Sequence, residues 1–478
     1  MEVFIDPDDH RSLVDQVYAH VRAAIVEGRL EPGDVLTPSR TLADQLGISR
    51  FTVTEAYARL VAEGFAEGRG RGGTVVTSRI RAAVPPQRRG QGVHPRPAVE
   101  TMSSFADPAV PPSTRFDLRA GQVDPALFPL RVWRRCTSAV LRSPPPDYGD
   151  PAGDEALRRA LARWIGRTRG VVCDPAEVVV TSGALHGLDL VARAVLEPGH
   201  VVAVEEPGYP PAVDLLRTNG YCVHGVPVDE HGIVVDAIPE EARLVYVTPS
   251  HQFPLGAVLT DERRLALLHW ARDHDATIVE DDYDSHIRFA SRPLEPLHRL
   301  DTDGRVVYVG TFSKVLSPAL RLGFAVAPPS LADALADIRS TVDWCPPWPN
   351  QGALARFIED GHLDRHIVKA TRQYRRRRDR IVERLADAPP SVRVLPAPAG
   401  LHVTLVFDED GAPEDREIRA ATRAERIVVG SLRRCYSFRP PRAGMLVGFG
   451  AVPDDQVDAM LDAVQRVLIC LTDGTGRH

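Results

Sequence analysis

Five short apolar runs, rich in β-branched residues, recur after Phe116: Val178-Val179-Val180, Val201-Val202-Ala203-Val204, Leu244-Val245-Tyr246-Val247, Thr277-Ile278-Val279 and Val306-Val307-Tyr308-Val309. Stretches of helix length separate them. A strand with one wet face alternates apolar and polar residues. These runs do not alternate, so they are expected to be buried on both faces. Such strands interleaved with helices predict a mostly parallel α/β sheet. Ligands on sheets of this kind bind beyond the carboxyl ends of the strands, so the residues just after each run are the first place to look for chemistry.

The last run leads into Thr311-Phe312-Ser313-Lys314-Val315-Leu316-Ser317-Pro318-Ala319-Leu320-Arg321-Leu322-Gly323. Of the 58 Lys and Arg residues only Lys314 and Lys369 are lysines. Arginine stays protonated in proteins. A lysine retained here, flanked by hydroxyls and followed by Arg321, points to a need for a primary amine that can lose its proton, as in Schiff-base chemistry. Lys369 lies in the arginine-rich segment His366 to Arg378, which reads as an exposed basic helix without a chemical role.

Other candidate groups follow earlier runs. Thr181-Ser182-Gly183-Ala184 opens a helix, where backbone N–H groups and the Ser182 hydroxyl suit a phosphate. Glu206-Pro207-Gly208-Tyr209-Pro210 places an aromatic at a strand end. Glu280-Asp281-Asp282-Tyr283-Asp284 places carboxylates at another, where one of them can keep a pyridine nitrogen protonated. A hard-cation site is the rival for that cluster, but supporting carboxylates are missing elsewhere in the sequence, and no metal is expected. The six cysteines are scattered without a C-x-x-C pair. They read as reduced thiols of a cytoplasmic protein rather than a disulfide framework or zinc site. Neither a signal peptide nor a membrane span is expected.

The N-terminal part has a different pattern. Residues 12–30 show helical spacing, with Leu13, Val17, Val21, Ala24 and Ile25 near one face and Leu30-Glu31-Pro32-Gly33 as the stop. A second helix is expected from Thr37 as N-cap and Pro38 at the first position, ending at Gly47. Ser49 caps a third, Arg50 to Glu63, and the glycine-rich segment Phe65 to Thr77 forms a hairpin. Three helices, a tight turn between the second and third, and a hairpin make a winged helix-turn-helix. Its third helix enters the major groove with Ser49, Arg50, Thr52 and Val53 toward base edges. Arg40 is placed for a phosphate, and Arg69 and Arg71 on the wing for backbone or minor groove. Net charge over the chain is −6, so any DNA binding must be local. The domain spans 10–78. Residues 79–114, interrupted by prolines and basic in part, read as a tether, and 115–470 as the α/β domain.

The words Pro38-Ser39-Arg40-x-Leu42-Ala43-x-x-Leu46-Gly47-x-Ser49-Arg50-x-Thr52-Val53 resemble the GntR family of DNA-binding domains. The Lys314 stretch resembles the lysine motif of aminotransferases of the aspartate aminotransferase fold (fold type I), which use pyridoxal 5′-phosphate. Together with Thr248-Pro249-Ser250-His251-Gln252-Phe253-Pro254-Leu255-Gly256 and the Glu280 cluster, the order of the parts resembles the MocR (GabR-like) subfamily of bacterial transcription factors. The resemblance implies a homodimer that binds promoter DNA and senses pyridoxal phosphate or a small amine through aldimine formation at Lys314. It further implies Asp281 on the pyridine nitrogen, Tyr283 on the ring oxygen and Tyr209 stacked on the ring. The phosphate would meet Ser182, Gly183, Ala184, Thr311, Ser313 and Arg321, with Tyr148 lent by the partner subunit. Arg433 and Arg434 are the candidates for an effector carboxylate. The sequence departs from catalytic aminotransferases at Phe253, where they usually place Asn. That suits a sensor with weakened turnover, although Phe253 equally reads as an apolar pocket wall. A working aminotransferase that carries a DNA-binding domain remains the alternative.

Overall fold

The structure, a computed structural model, describes residues 3–6, 9–77, 96–100, 102, 110–144, 147–289, 295–344, 346–395 and 398–473. The chain divides into two compact units, Met1–Arg96 and Pro97–His478. Much of the stretch read as a tether, including 79–95, lies outside the described residues. Within that stretch Pro97 opens a single helical turn, Pro97–Glu100. Proline is tolerated there because a first-turn N–H has no helical partner.

The first unit holds α1 (Leu13–Val26), α2 (Ser39–Leu46), α3 (Arg50–Ala62) and a hairpin of β1 (Ala66–Gly68) and β2 (Thr74–Val76). Val17, Val21, Leu42, Val53, Ala56 and Leu60 pack into one core. Two boundaries differ from the sequence reading. α1 stops at Val26, because Gly28 already adopts a left-handed conformation with φ 75°. α2 begins at Ser39 with Pro38 as its cap residue, while the Thr37 carbonyl accepts the Tyr57 hydroxyl at 2.9 Å. Gly47 closes α2 at φ 66°, and the Ser49 hydroxyl accepts the Phe51 N–H at 3.0 Å, which starts α3 as expected.

In the second unit β3 (Phe116–Leu118) comes first. Then follow β4 (Val178–Thr181), β5 (Val201–Glu206), β6 (Cys222–Asp229), β7 (Gly232–Ile233), β8 (Ala242–Val247), β9 (Thr277–Asp282), β10 (Val306–Thr311) and β11 (Gly323–Val326). These eight form one sheet in the order β4-β11-β10-β9-β8-β5-β6-β7. Neighbours from β10 through β9, β8 and β5 to β6 are parallel, whereas β11 and β7 run against their neighbours. All five apolar runs are strands of this sheet, and helices cover both of its faces in separate apolar clusters. A second, largely antiparallel sheet joins β12 (Val392–Val394), β13 (His402–Phe407), β15 (Gly444–Gly448), β14 (Ile427–Ser431) and β3 in that order. It packs against the helices His362–Leu385 and Val457–Asp473. Among the described residues no helix is long and apolar enough to cross a membrane, and no cluster of His, Cys, Asp and Glu is arranged to hold a metal ion.

Candidate functional site

The carboxyl ends of β4, β8, β9 and β10 meet around a cavity of about 160 Å³. Strand alternation explains how three consecutive acids at the end of β9 divide their work. Glu280 and Asp282 turn to one side. Glu280 accepts the backbone N–H groups of Leu297 and His298, both at 3.0 Å. Asp282 accepts Arg169 Nε at 2.8 Å and the Tyr308 hydroxyl at 2.5 Å. Asp281 turns to the other side and lines the cavity. Its Oδ2 accepts the Tyr246 hydroxyl at 2.6 Å, while Oδ1 is buried and has no hydrogen-bond partner. Burial alone would raise Asp282, but the Arg169 guanidinium overrides it and holds that carboxyl below its ordinary range. Asp281 is pushed up to about 7, first by burial and then by the charges of Asp282 and Asp284, against the Tyr246 hydrogen bond.

Lys314, just beyond β10, reaches into the same cavity, and its Nζ donates to the Gly121 carbonyl at 3.1 Å. Burial pushes its pKa down, opposed by Asp284 and Asp281. The ammonium therefore gives up its proton more readily than an exposed lysine would. Gly121 has φ +81°, a conformation side chains rarely adopt, and a Cβ there would stand 2.3 Å from Nζ, so a side chain at 121 would force the flexible end of Lys314 to move.

A second group of residues forms an anion cup. Thr311 and Ser313, with hydroxyls 3.0 Å apart, line the cavity with Arg321, Gly183 and Ala184. Arg321 adopts φ 50°, and Gly183, at φ 127°, would bring a Cβ to 3.5 Å from its guanidinium. The helix Ala184–Val195 starts here without a side-chain cap, which leaves its first N–H groups toward the cavity. Ser182 sits in this turn but is absent from the lining, and its N–H donates to His186 Nδ1 at 3.1 Å.

The walls are aromatic. Tyr209 meets Phe253 edge to face at 5.7 Å, and Phe253 in turn meets Tyr283 and His402 edge-on. The Tyr283 hydroxyl lies 3.1 Å from His251 Nδ1, which is 2.7 Å from Asp284 Oδ2. Tyr246, Thr248, Asp284 and His402 line the cavity too, and the sequence reading missed all four. Tyr246 was visible as the one polar-tipped residue of its apolar run; His402 had no local signal.

Three expected site residues stand elsewhere. Tyr148 is 72% exposed, with its ring 5.2 Å from Trp344, and does not line the cavity of its own chain. Neither Arg433 nor Arg434 lines it. The turn Arg433–Cys435 buries Leu432 and Cys435 against the Phe253 cluster instead. Arg433 lies 3.8 Å from Asp415, and Arg434 borders a separate groove beside the helix Asp415–Ala424.

In the winged helix Arg40, Ser49 and Arg50 are exposed and Thr52 is half-buried. Val53 is fully buried in the core, so it cannot face base edges, contrary to the sequence expectation. Arg69 pairs with Glu67 at 2.6 Å. Arg71 is in the wing turn Gly70–Gly72, and its side chain lies outside what the structure describes.

Residues 120–464 match the family model "Aminotransferase class I and II", and residues 13–76 match "Bacterial regulatory proteins, gntR family". The chain is 33% identical to the probable rhizopine catabolism regulatory protein MocR of Rhizobium meliloti, over 98% of this chain and 96% of that one. The chain belongs to the MocR-type regulators of the gntR family. It is also 33% identical to the HTH-type pyridoxine biosynthesis transcriptional regulator PdxR of Corynebacterium glutamicum, over 95% of this chain and 96% of that one. The crystal structure of the multiple substrate aminotransferase from Thermococcus profundus superposes with a TM-score of 0.70 at 26% identity, covering 80% of this chain and 97% of that one. As a MocR-type regulator the protein binds DNA through its winged helix, and its effector domain has the fold type I architecture.

Pyridoxal phosphate is the cofactor of such a domain, and the cavity fits it. The orphaned Asp281 Oδ1 suits a protonated ring nitrogen, the Thr311–Ser313–Arg321 cup a phosphate, and Lys314 an aldehyde carbon. In this MocR-type regulator Gly121→Ala should displace the Lys314 amine and weaken cofactor binding by up to about tenfold, on the order of 1 kcal/mol. Titrating the cofactor-free variant by absorbance measures the loss; a wild-type binding curve would rule out the steric role of Gly121.

Proposed function

We propose that this regulator works in the cytoplasm as a homodimer that senses pyridoxal phosphate or a small primary amine and changes its grip on promoter DNA in response. The observation that carries this reading is one cavity that holds a half-buried lysine, an orphaned carboxylate oxygen and a guanidinium–hydroxyl cup, in a chain that also has a winged helix. When bound there, pyridoxal phosphate supplies an aldehyde carbon that bonds reversibly to primary amines. Lys314 would hold that carbon until a free amine takes its place. Asp281 would keep the ring nitrogen protonated, and Arg321, Thr311, Ser313 and the Ala184 N–H would hold the phosphate. Tyr283 would reach the ring oxygen, Tyr209 and Phe253 would wall the ring, and Tyr148 of one subunit would complete the cup of the other. The same Lys314–Asp281 pair supports residual aminotransferase turnover as a second reading.

A ligand moves an equilibrium only by its differential affinity for two states. Exchange of the Lys314 tether for a free amine provides such a difference. Coupling is expected through the spacing of the two winged helices against half-sites. The test is a footprint of the full-length dimer on a selected operator, without cofactor, with pyridoxal phosphate, and with added primary amines. Affinity or footprint should change with ligand. Identical footprints in every condition would reject sensing and favour the enzyme reading.

A further inference from the structure

The outer face of α3 carries an aromatic residue that neither the core nor the expected phosphate contacts explain. Val53, Ala56, Tyr57 and Leu60 define the inner face. At about 100° per residue, Phe51 falls opposite them, and it is 73% exposed. Glu55, one turn further along the same side, is exposed as well. The cap from Ser49 to the Phe51 N–H sets residue 51 in the first turn, the part of a recognition helix that meets base edges. A phenyl ring followed by a carboxylate offers nothing to a phosphate. The cations that do, Arg40 at the start of α2 and Arg50 just before Phe51, are both exposed and both precede Phe51 in the chain. The outward side of α3 beyond Arg50 thus offers an apolar ring and a carboxylate, which suit base edges better than backbone phosphates.

Among groups displayed in the major groove, the apolar one is the C5-methyl of thymine. We propose that Phe51 is a specificity-determining residue that reads a thymine in each half-site by packing its ring on that methyl group. The inference rests on DNA binding by the winged helix and adds a base preference to it.

The experiment starts with operators selected from a random duplex pool by the full-length protein. Each selected thymine is then replaced singly by deoxyuridine, which removes only the methyl group. The wild type should lose about fourfold in affinity at one position per half-site, the hydrophobic worth of one methyl. Phe51→Ala should bind more weakly yet treat thymine and uracil alike at that position. Phe51→Leu, which keeps apolar bulk, should retain part of the discrimination. The salt dependence of Phe51→Ala should match the wild type, because no phosphate contact is lost. A wild type indifferent to uracil at every thymine, or a Phe51→Ala variant that still discriminates, overturns the proposal while DNA binding stands. Failure to select any sequence overturns both.

Discussion

Alanine at position 314 should leave the protein colourless with pyridoxal phosphate and about as stable as before. Lys314 supplies the primary amine that lines the cavity, and Lys369, the other lysine, sits on the helix His362–Leu385 and does not line it. Without the amine, cofactor is held only by the Arg321 cup, Asp281 and the aromatic walls. Affinity should fall roughly hundredfold or more, about 3 kcal/mol. The fold should tolerate the change, because removing a half-buried amine also removes part of its desolvation cost. Absorbance spectra of the cofactor-loaded proteins give the first readout. Borohydride reduction followed by peptide mapping gives the second: label should appear on the peptide containing Lys314 in the wild type and nowhere in the variant. Label on Lys369 would reject the assignment. Lys314→Arg should fail in the same way, because a guanidinium keeps its charge but cannot supply a neutral amine.

Asp281→Asn should have opposite effects with and without cofactor. Burial raises Asp281 to about 7, above its value of about 3.9 in an unfolded chain. The folded, cofactor-free chain therefore keeps a proton that the unfolded chain has lost. The associated stability is complete below about pH 4 and is lost as pH rises through about 7. Asparagine cannot ionise, so the cofactor-free variant should be more stable than the wild type at pH 8, by an amount on the order of 2–4 kcal/mol. The gain should shrink toward pH 5. Glu205 and Glu280, also raised to about 7 by burial, leave part of the pH slope in both proteins. With cofactor the order reverses: the wild type gains a cationic partner for its carboxylate, and the variant gains none. Thermal unfolding at pH 5, 6.5 and 8, with and without pyridoxal phosphate, measures both effects. A cofactor-free variant less stable than the wild type at pH 8 would show that the carboxylate is already well compensated in the empty cavity.

Phe253 shows how a single position divides between the two readings of the protein. Its ring takes edge-on contacts from Tyr209, Tyr283 and His402, so it forms a wall of the cavity and offers no hydrogen bond to a ring oxygen. That leaves Tyr283 as the candidate donor, and the Tyr283 hydroxyl lies against His251 Nδ1, which in turn meets Asp284.

The sequence alone determined the elements and the chemistry at their ends. Short continuous apolar runs rich in β-branched residues point to strands buried on both faces, because a strand with one wet face would alternate and a buried helix would run longer. Gly47 and Ser49 specify the turn between α2 and α3 through local backbone and capping energetics. Lys314 stood out as one of two lysines, beside hydroxyls at a predictable strand end, and the acidic cluster stood out at another; the choice of Asp281 within that cluster came from the family resemblance. Tertiary structure decided the rest, because it depends on contacts distant in sequence. It placed Tyr246 on Asp281 across 35 residues and Lys314 on Gly121 across 193. It separated Asp281 from Asp282 by giving only the latter Arg169. It also turned Arg433 toward Asp415 instead of the cavity. Within α3 it buried Val53 and exposed Phe51. Which residue faces outward depends on the phase of the helix against its core, and that phase is settled only when α1 and α2 pack against it.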